Sequence, residues 1–362
     1  MQQAKYILYQ DSVEVKQPNE DALIDEVLAS IHRLNQETFD LRRHAIRQAH
    51  AKSHGFLKGE LTVYADLPEH LRQGLFATPG SYPIIVRFST APGDILSDRV
   101  PAHYGMAIKT LGVSGPKADP ADATRNQDFL LVNSPIYFAD PAAYLKAQKL
   151  IEKQTGSPQE ILEAVEFLAR GAKSVLGAIG VKAPMLLEAL AAPPNHILGE
   201  TYHSMAALRF GDYIAKLSAA PLSNSVRSLT GILTNNSESI LRDLIVDFFK
   251  TETAEYELRA QLCVDLERTP VEDASVEWPD ELSPQQPVAR ITLPAQGAYS
   301  PQRRVYGDDV LSFSAWRCLA PHRPLGSIMR LRRAAYQASS HFRHVMNARP
   351  LTEPVDISEL PD

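Results

Sequence analysis

His50 lies in a run, residues 41–58, that holds five Arg or Lys, three His and no carboxylate. A neutral imidazole takes up and returns a proton near physiological pH, so a histidine between Arg47 and Lys52 is a candidate general base. A second acid-free run, residues 327–349, reads SIMRLRRAAYQASSHFRHVMNAR and contains no Gly or Pro. At 100° per residue, Ile328, Leu331, Ala335, Ala338, Phe342 and Val345 form one band, the expected core face. Arg332, Tyr336, Ser339 and Arg343 form the neighbouring stripe, and Ser327 is the expected N-cap. Guanidinium groups beside a phenol favour its phenolate. Arg330, Arg332, Arg333, Arg343 and Arg349 would repel one another without an anion nearby. Both acid-free runs therefore ask for a shared anion: phosphate, a ligand carboxylate or the propionates of a haem.

Other constellations are weaker. His50 and His54 stand at i, i+4, a spacing that chelates metal on a helix, but no His-Glu-x-x-His accompanies them and Gly55 interrupts the helix. A metallohydrolase using His44, His50 and His54 is the corresponding alternative. His341 and His344 read as solvated helix-end residues. In "RFST" (87–90), Arg87 and Ser89 share one strand face and need partners if buried. In "VNSPIYF" (132–138), Asn133 and Ser134 precede a proline, as a polar strand end making a turn would. No Gly-x-Ser-x-Gly elbow, phosphate-binding P-loop or strand-linked Gly-x-Gly-x-x-Gly is present, which counts against the common hydrolases, P-loop enzymes and dinucleotide oxidoreductases.

These residues need a scaffold. Residues 21–39 carry apolar positions at helical spacing. Short strand-like runs follow at 60–67, 82–89, 103–112 and 127–138, then at 201–218, 254–266 and 287–296, separated by turn signals. Strands without intervening helices predict an antiparallel meander, barrel or sandwich, hence an α+β fold. Helical texture is expected at 141–191 and partly at 225–250, with an irregular Pro-rich stretch over 269–325. One domain over 1–362 is the economical reading.

The 362 residues, 44% hydrophobic and 22% charged, describe a soluble globular chain. A formal charge of −6 argues against nucleic acid as partner. No secretory signal is read at the N-terminus. The most apolar region, 171–198, is broken by Lys173, Lys182, Pro184, Glu188 and Pro193, so no integral membrane segment is expected. Cys263 and Cys318 lack metal or redox spacing and read as buried thiols of a reducing, cytoplasmic compartment.

Taken together, "RQAHAKSHG" (47–55), "RFST" (87–90), "YGMAIK" (104–109), "VNSPIYF" (132–138) and Arg332, Tyr336 and Arg343 resemble, in order, the motifs of the haem-dependent catalase family. The likeness is to its short catalase-related peroxidase subgroup, which lacks the C-terminal flavodoxin-like domain. The resemblance implies a catalase-like antiparallel β-barrel with surrounding helices and a long C-terminal haem-contacting helix. It divides the chain into an N-terminal arm and helix (1–40), a barrel (59–296) with a helical insertion (141–200), and a wrapping segment with the proximal helix (297–362). It implies haem b as cofactor, with His50 as distal base, Asn133 as its partner and Ser89 orienting its ring. Tyr336 would ligate the iron as tyrosinate, with Arg332 holding it deprotonated. Arg47, Arg87 and Arg343 would pair with the propionates, and Phe138 would line the apolar wall. The implied substrate is hydrogen peroxide or an organic hydroperoxide, with a small electron donor as co-substrate, and a homo-oligomer is the family's usual state. Gln337-Ala338-Ser339 departs from the family's residues after the tyrosine. Ala49 stands where large catalases commonly carry valine, which should widen access and admit organic hydroperoxides. A lipid hydroperoxide lyase or isomerase on the same fold, and a non-catalytic haem-binding protein, are the alternatives.

Overall fold

The computed structural model describes residues 6–154, 193–234 and 237–362. Eight antiparallel strands close into a barrel, and helices surround it. The strands are β1 (Ser53–Val63), β2 (Gly80–Thr90), β3 (Tyr104–Thr110), β4 (Gln127–Val132), β5 (Tyr202–His203), β7 (Tyr213–Pro221), β8 (Ala254–Leu262) and β9 (Gln286–Leu293); β6 (Leu208–Phe210) hairpins onto β7. Each strand of the ring β1-β2-β3-β4-β5-β7-β8-β9 pairs with the next, and β9 returns to β1. Ring closure removes the exposed edges that an open sheet would leave.

Alternation assigns the two faces. Phe88, Met106, Ile108, Phe129 and Leu131 point into the barrel and meet Tyr202, Leu217, Tyr256 and Leu258 from the far wall. All are nearly or fully buried, and burying each such side chain contributes about 1.5–3 kcal/mol. The opposite face of β1–β4 is buried as well. Phe56, Ile85, Ala107 and Leu130 pack there against Leu311, Phe313 and Leu360 of the C-terminal wrapping segment. That second burial explains why β1 begins at Ser53, ahead of the expected 59. Its polar-looking start, Ser53-His54-Gly55, is a bulged strand end covered by neighbouring chain.

The expected first helix forms as α1 (Glu20–Arg42), burying Val27, Ile31 and Leu34. Helix α2 (Pro141–Gln154) carries the start of the predicted 141–191 helical region; residues 155–192 lie outside the described residues. Helix α3 (Ile240–Phe249) falls within the partly helical 225–250, and α4 (Ser327–Met346) is the long C-terminal helix. Leu145 of α2 and Ile328, Leu331 and Ala335 of α4 close on α1 in one apolar cluster. No described helix is long and apolar enough to cross a membrane.

Helix α4 departs from its predicted face. Ile328, Leu331 and Ala335 are buried as expected, but Ala338 is exposed and Val345 is 59% exposed. Arg343 and His344 are buried instead. The physical reason is hydrogen bonding. The Arg343 guanidinium donates to the carbonyls of Asp308 and Leu311, and the His344 ring bonds the Val310 carbonyl at 3.0 Å. Ser327 is the first helical residue, not the N-cap, which is Gly326 at φ 88°. Carboxylates supplied from outside the helix satisfy its start. Gly326 N–H donates to Glu14 and Ser327 N–H to Glu272, at 2.9 and 2.8 Å, where the helix dipole favours negative charge.

Candidate functional site

His50 sits in the turn between α1 and β1, in the left-handed region at φ 55°. Such a conformation is costly for a residue with a Cβ and persists only where neighbours over-determine it. Here His50 N–H donates to Ala91 O at 2.9 Å, and Ala51 N–H donates to Pro92 O at 3.0 Å. The turn aims the imidazole at the outward face of β2 and β3, where Nδ1 lies 3.1 Å from Ser89 Oγ. Gly105 forms the floor, since a Cβ there would lie 2.6 Å from His50 Nδ1 and 3.0 Å from Ser89 Oγ. Gly105→Ala should therefore displace the imidazole and lower the activity proposed below by more than about tenfold while leaving the fold intact. Steady-state turnover beside a circular-dichroism melt checks this, and full activity in a folded variant would contradict the packing argument.

Burial pushes the His50 pKa down to about 3, helped by the charges of Arg87, Arg332, His103 and Arg47. The ring is a neutral base at physiological pH. Arg332 contributes because α4 carries it to the same region, where its Nη2 donates to the Tyr336 hydroxyl at 2.9 Å. The two residues stand at i, i+4 on α4, the spacing that makes helical neighbours. Tyr137, Phe138 and Tyr144 wall this region, with ring centroids 4.9–6.2 Å apart, and the Arg332 guanidinium lies 5.9 Å from the Tyr137 ring centroid. Gln48 Nε2 reaches the Tyr144 hydroxyl at 3.4 Å, beside the exposed Ala49.

Asn133 does not join this group. The ladder sets Ser89 opposite Gly105 and Gly105 opposite Val132, so these three share the outward face with the imidazole. Alternation turns Asn133 the other way. Its Oδ1 accepts the Tyr104 N–H at 2.7 Å, and its Nδ2 donates to Glu200 Oε2 at 3.4 Å. The β4 side chain flanking Gly105, and with it His50, is the apolar Val132.

Arg47, Arg87 and Arg343 do converge, on a wide turn that sequence reading missed. A short helix, Pro301–Val305, passes into a π-helical turn, Tyr306–Val310. Arg47 donates to Gly307 O and Leu311 O, both at 2.7 Å, and to Asp308 Oδ1 at 3.0 Å. Arg87 donates to His50 O at 2.7 Å and to Asp308 Oδ1 at 3.3 Å. Arg343 takes the Asp308 and Leu311 carbonyls. The only local sign of this in the sequence is the acidic pair Asp308-Asp309 inside a stretch read as irregular. Burial, then repulsion from Arg87 and Arg343, lowers the Arg47 pKa well below its usual value against the pull of Asp308 and Asp309.

The remaining histidines go elsewhere. His44 pairs with Asp309 at 2.8 Å, and His54 is buried in β1 within 3.3 Å of Thr90 Oγ1. Among the described residues, no three His, Cys, Asp or Glu side chains are placed to hold a metal ion. The other arginines of α4 meet distant acids: Arg330 bonds Glu14, Glu20 and Glu272, and Arg333 bonds Asp119.

No protein-family model and no curated protein matches the chain. Solved structures do match. A bacterial catalase aligns with a TM-score of 0.58 at 15% identity, over 89% of this chain and 63% of that one. A fungal catalase gives 0.57 at 17% identity, over 84% and 61%. Catalase A from Saccharomyces cerevisiae gives 0.59 at 18% identity, over 89% and 69%. At these identities the likeness establishes the fold, and the chain spans 63% and 61% of the length of the first two.

Proposed function

We propose that this chain is a haem-dependent enzyme of the short catalase-related kind that decomposes peroxides, with organic hydroperoxides as its favoured substrates. One observation carries the reading: on α4 Arg332 donates to the Tyr336 hydroxyl at 2.9 Å, and the same guanidinium is among the charges that keep the buried His50 imidazole neutral. The residues fit a haem. Arg47 and Arg87 donate to the Asp308 carboxylate and Arg343 to the Asp308 carbonyl, with Asp309 the other acid acting on Arg47 and Arg343, and the buried Nε of Arg87 has no hydrogen-bond partner. Two propionate carboxylates complement that surplus of charge and donors. Tyr336, its oxygen held by Arg332, would ligate the iron, and Phe138 and Tyr137 would flank the ring.

Bound haem would supply the redox chemistry of O–O bond cleavage, its potential set in part by the residue that would hold the iron. The chain's own work is proton management. Ser89 fixes the orientation of the His50 ring, leaving Nε2 to take a proton from one peroxide oxygen and hand it to the other. The surroundings favour a substrate with an apolar tail: Val132 flanks His50, the Asn133 amide is engaged elsewhere, and Ala49 offers little bulk. A lipid hydroperoxide lyase or isomerase would use the same apolar surroundings.

A haem titration followed by a peroxide panel tests the proposal. We expect a Soret band on addition of haem, and turnover of cumene or fatty-acid hydroperoxide, with an electron donor present, above that of hydrogen peroxide. Analysis of products separates reduction to the alcohol from rearrangement or chain cleavage. A protein that remains colourless with haem supplied removes the reading. Fast hydrogen peroxide disproportionation without organic peroxide turnover removes the substrate preference.

A further inference from the structure

Asp308 is the common acceptor of the arginine cluster. Its Oδ1 takes Arg47 at 3.0 Å and Arg87 at 3.3 Å, its Oδ2 takes Ser53 Oγ at 2.7 Å, and its backbone carbonyl takes Arg343. The π-helical turn that presents it is pinned by Gly307, where a Cβ would lie 2.2 Å from the Phe56 ring. The neighbouring Asp309 bonds the His44 ring at 2.8 Å, and its charge also pulls on Arg47 and Arg343. Three buried or nearly buried guanidiniums thus face two neighbouring carboxylates, of which only Asp308 bonds them, leaving one formal positive charge. Buried like charges are costly unless each is compensated.

We infer that Asp308 is a resident counter-ion: it holds the three guanidiniums in place and sets how strongly the cluster selects a dianionic ligand. The ligand is a haem with its two propionates, so the inference rests on the reading above. The role is one of positioning and charge balance. Removing the Asp308 charge leaves three guanidiniums with Asp309 alone to balance them, which weakens the ligand-free fold and enlarges the gain when a dianion arrives. Burial already lowers the Arg343 pKa to about 10, against the pull of Asp308 and with the push of Arg87, so the cluster is electrostatically loaded as it stands.

The test titrates hemin and hemin dimethyl ester, the same ring without carboxylates, into the full chain and into Asp308→Asn, with thermal melts of each protein. Wild type should prefer hemin. Asp308→Asn should melt lower without ligand, and its hemin-to-ester affinity ratio should rise on the order of tenfold, the effect of one charge several ångströms away. Asp308→Asn/Arg47→Gln returns the formal charge to its wild-type value and should restore both the melting temperature and the wild-type ratio. Asp119→Asn, which frees only the surface partner of Arg333, should change neither. An unchanged or smaller ratio in Asp308→Asn overturns the inference, as does a double variant that recovers nothing. If Asp308→Asn does not fold, the double variant carries the test alone. If wild type binds neither porphyrin, the haem reading fails, and the loss and recovery of thermal stability still decide the counter-ion.

Discussion

His50→Ala should lower peroxide turnover by about 10²- to 10⁴-fold, the usual contribution of a positioned general base, and leave haem uptake unchanged. The proposed role as base rests on three features: Nδ1 lies 3.1 Å from Ser89 Oγ, burial lowers the ring's pKa to about 3, and among the described residues no carboxylate hydrogen-bonds it. Haem uptake should persist because the residues proposed to hold the haem are Arg47, Arg87, Arg343 and Tyr336. The pH dependence follows from the same placement. His50 works deprotonated, so turnover should hold from neutrality to about pH 4 with no inflection near the ordinary histidine value of about 6.5, and fall as pH drops through about 3. Stability follows with a definite sign. Between about pH 6.5 and 3 the unfolded chain binds the proton that the folded His50 refuses, so this residue's contribution is lost as pH falls through that window. Initial rates across the pH range, with haem spectra of both proteins, check the prediction. Unchanged turnover in His50→Ala would remove His50 from the chemistry and favour a haem-binding protein without turnover.

Asp128→Ala should cost about 3–5 kcal/mol of folding stability, the price of stranding a buried charge. Asp128 and Lys109 are fully buried on the outward face of β4 and β3. Asp128 accepts from Lys109 Nζ at 2.8 Å, from Arg317 Nη1 at 2.7 Å and from Ser314 N–H at 2.9 Å. Glu353 closes the network by accepting from Lys109 at 2.6 Å and from Arg317 at 2.9 Å. Four charges thus tie the barrel to the wrapping segment and to the chain's last residues. Without Asp128, the two cations share one carboxylate. Lys109→Met/Asp128→Leu should lose less than the single variant, because it leaves Arg317 and Glu353 as a balanced pair. Asp247→Ala, which breaks an exposed pair with Lys250, should stay within about 0.5 kcal/mol. Urea denaturation of the four proteins measures all of this, and a loss below about 1 kcal/mol in Asp128→Ala would show the network to be dispensable.

Much of the fold was legible because strand and helix periods are local. The runs at 82–89 and 103–112 became β2 and β3, and residues 21–39 became α1, since apolar spacing and turn residues act over a few positions. The resemblance of short ordered motifs pointed to Ser89 beside His50, and Ser89 Oγ lies 3.1 Å from Nδ1 of that ring. The absent acids were the misleading signal. Local charge imbalance suggested one bound anion for both basic runs, yet Arg330 meets Glu14, Glu20 and Glu272, and Arg333 meets Asp119. Charges balance in space, and the sequence lists them only in order.

By itself, then, the sequence determined the periods of the strands and helices, the i, i+4 pairing of Arg332 with Tyr336, and the residue types available for proton transfer. Those depend on geometry fixed within a few residues. Tertiary structure alone decided ring closure through β5 and β7, the turning of Asn133 toward Glu200 with Val132 beside His50, and the placing of Asp308 among three arginines. Each depends on cross-strand register or on contacts between segments up to hundreds of residues apart. A one-residue change of register exchanges the two faces of a strand, and no local pattern around Asn133 records which face β4 will show to His50.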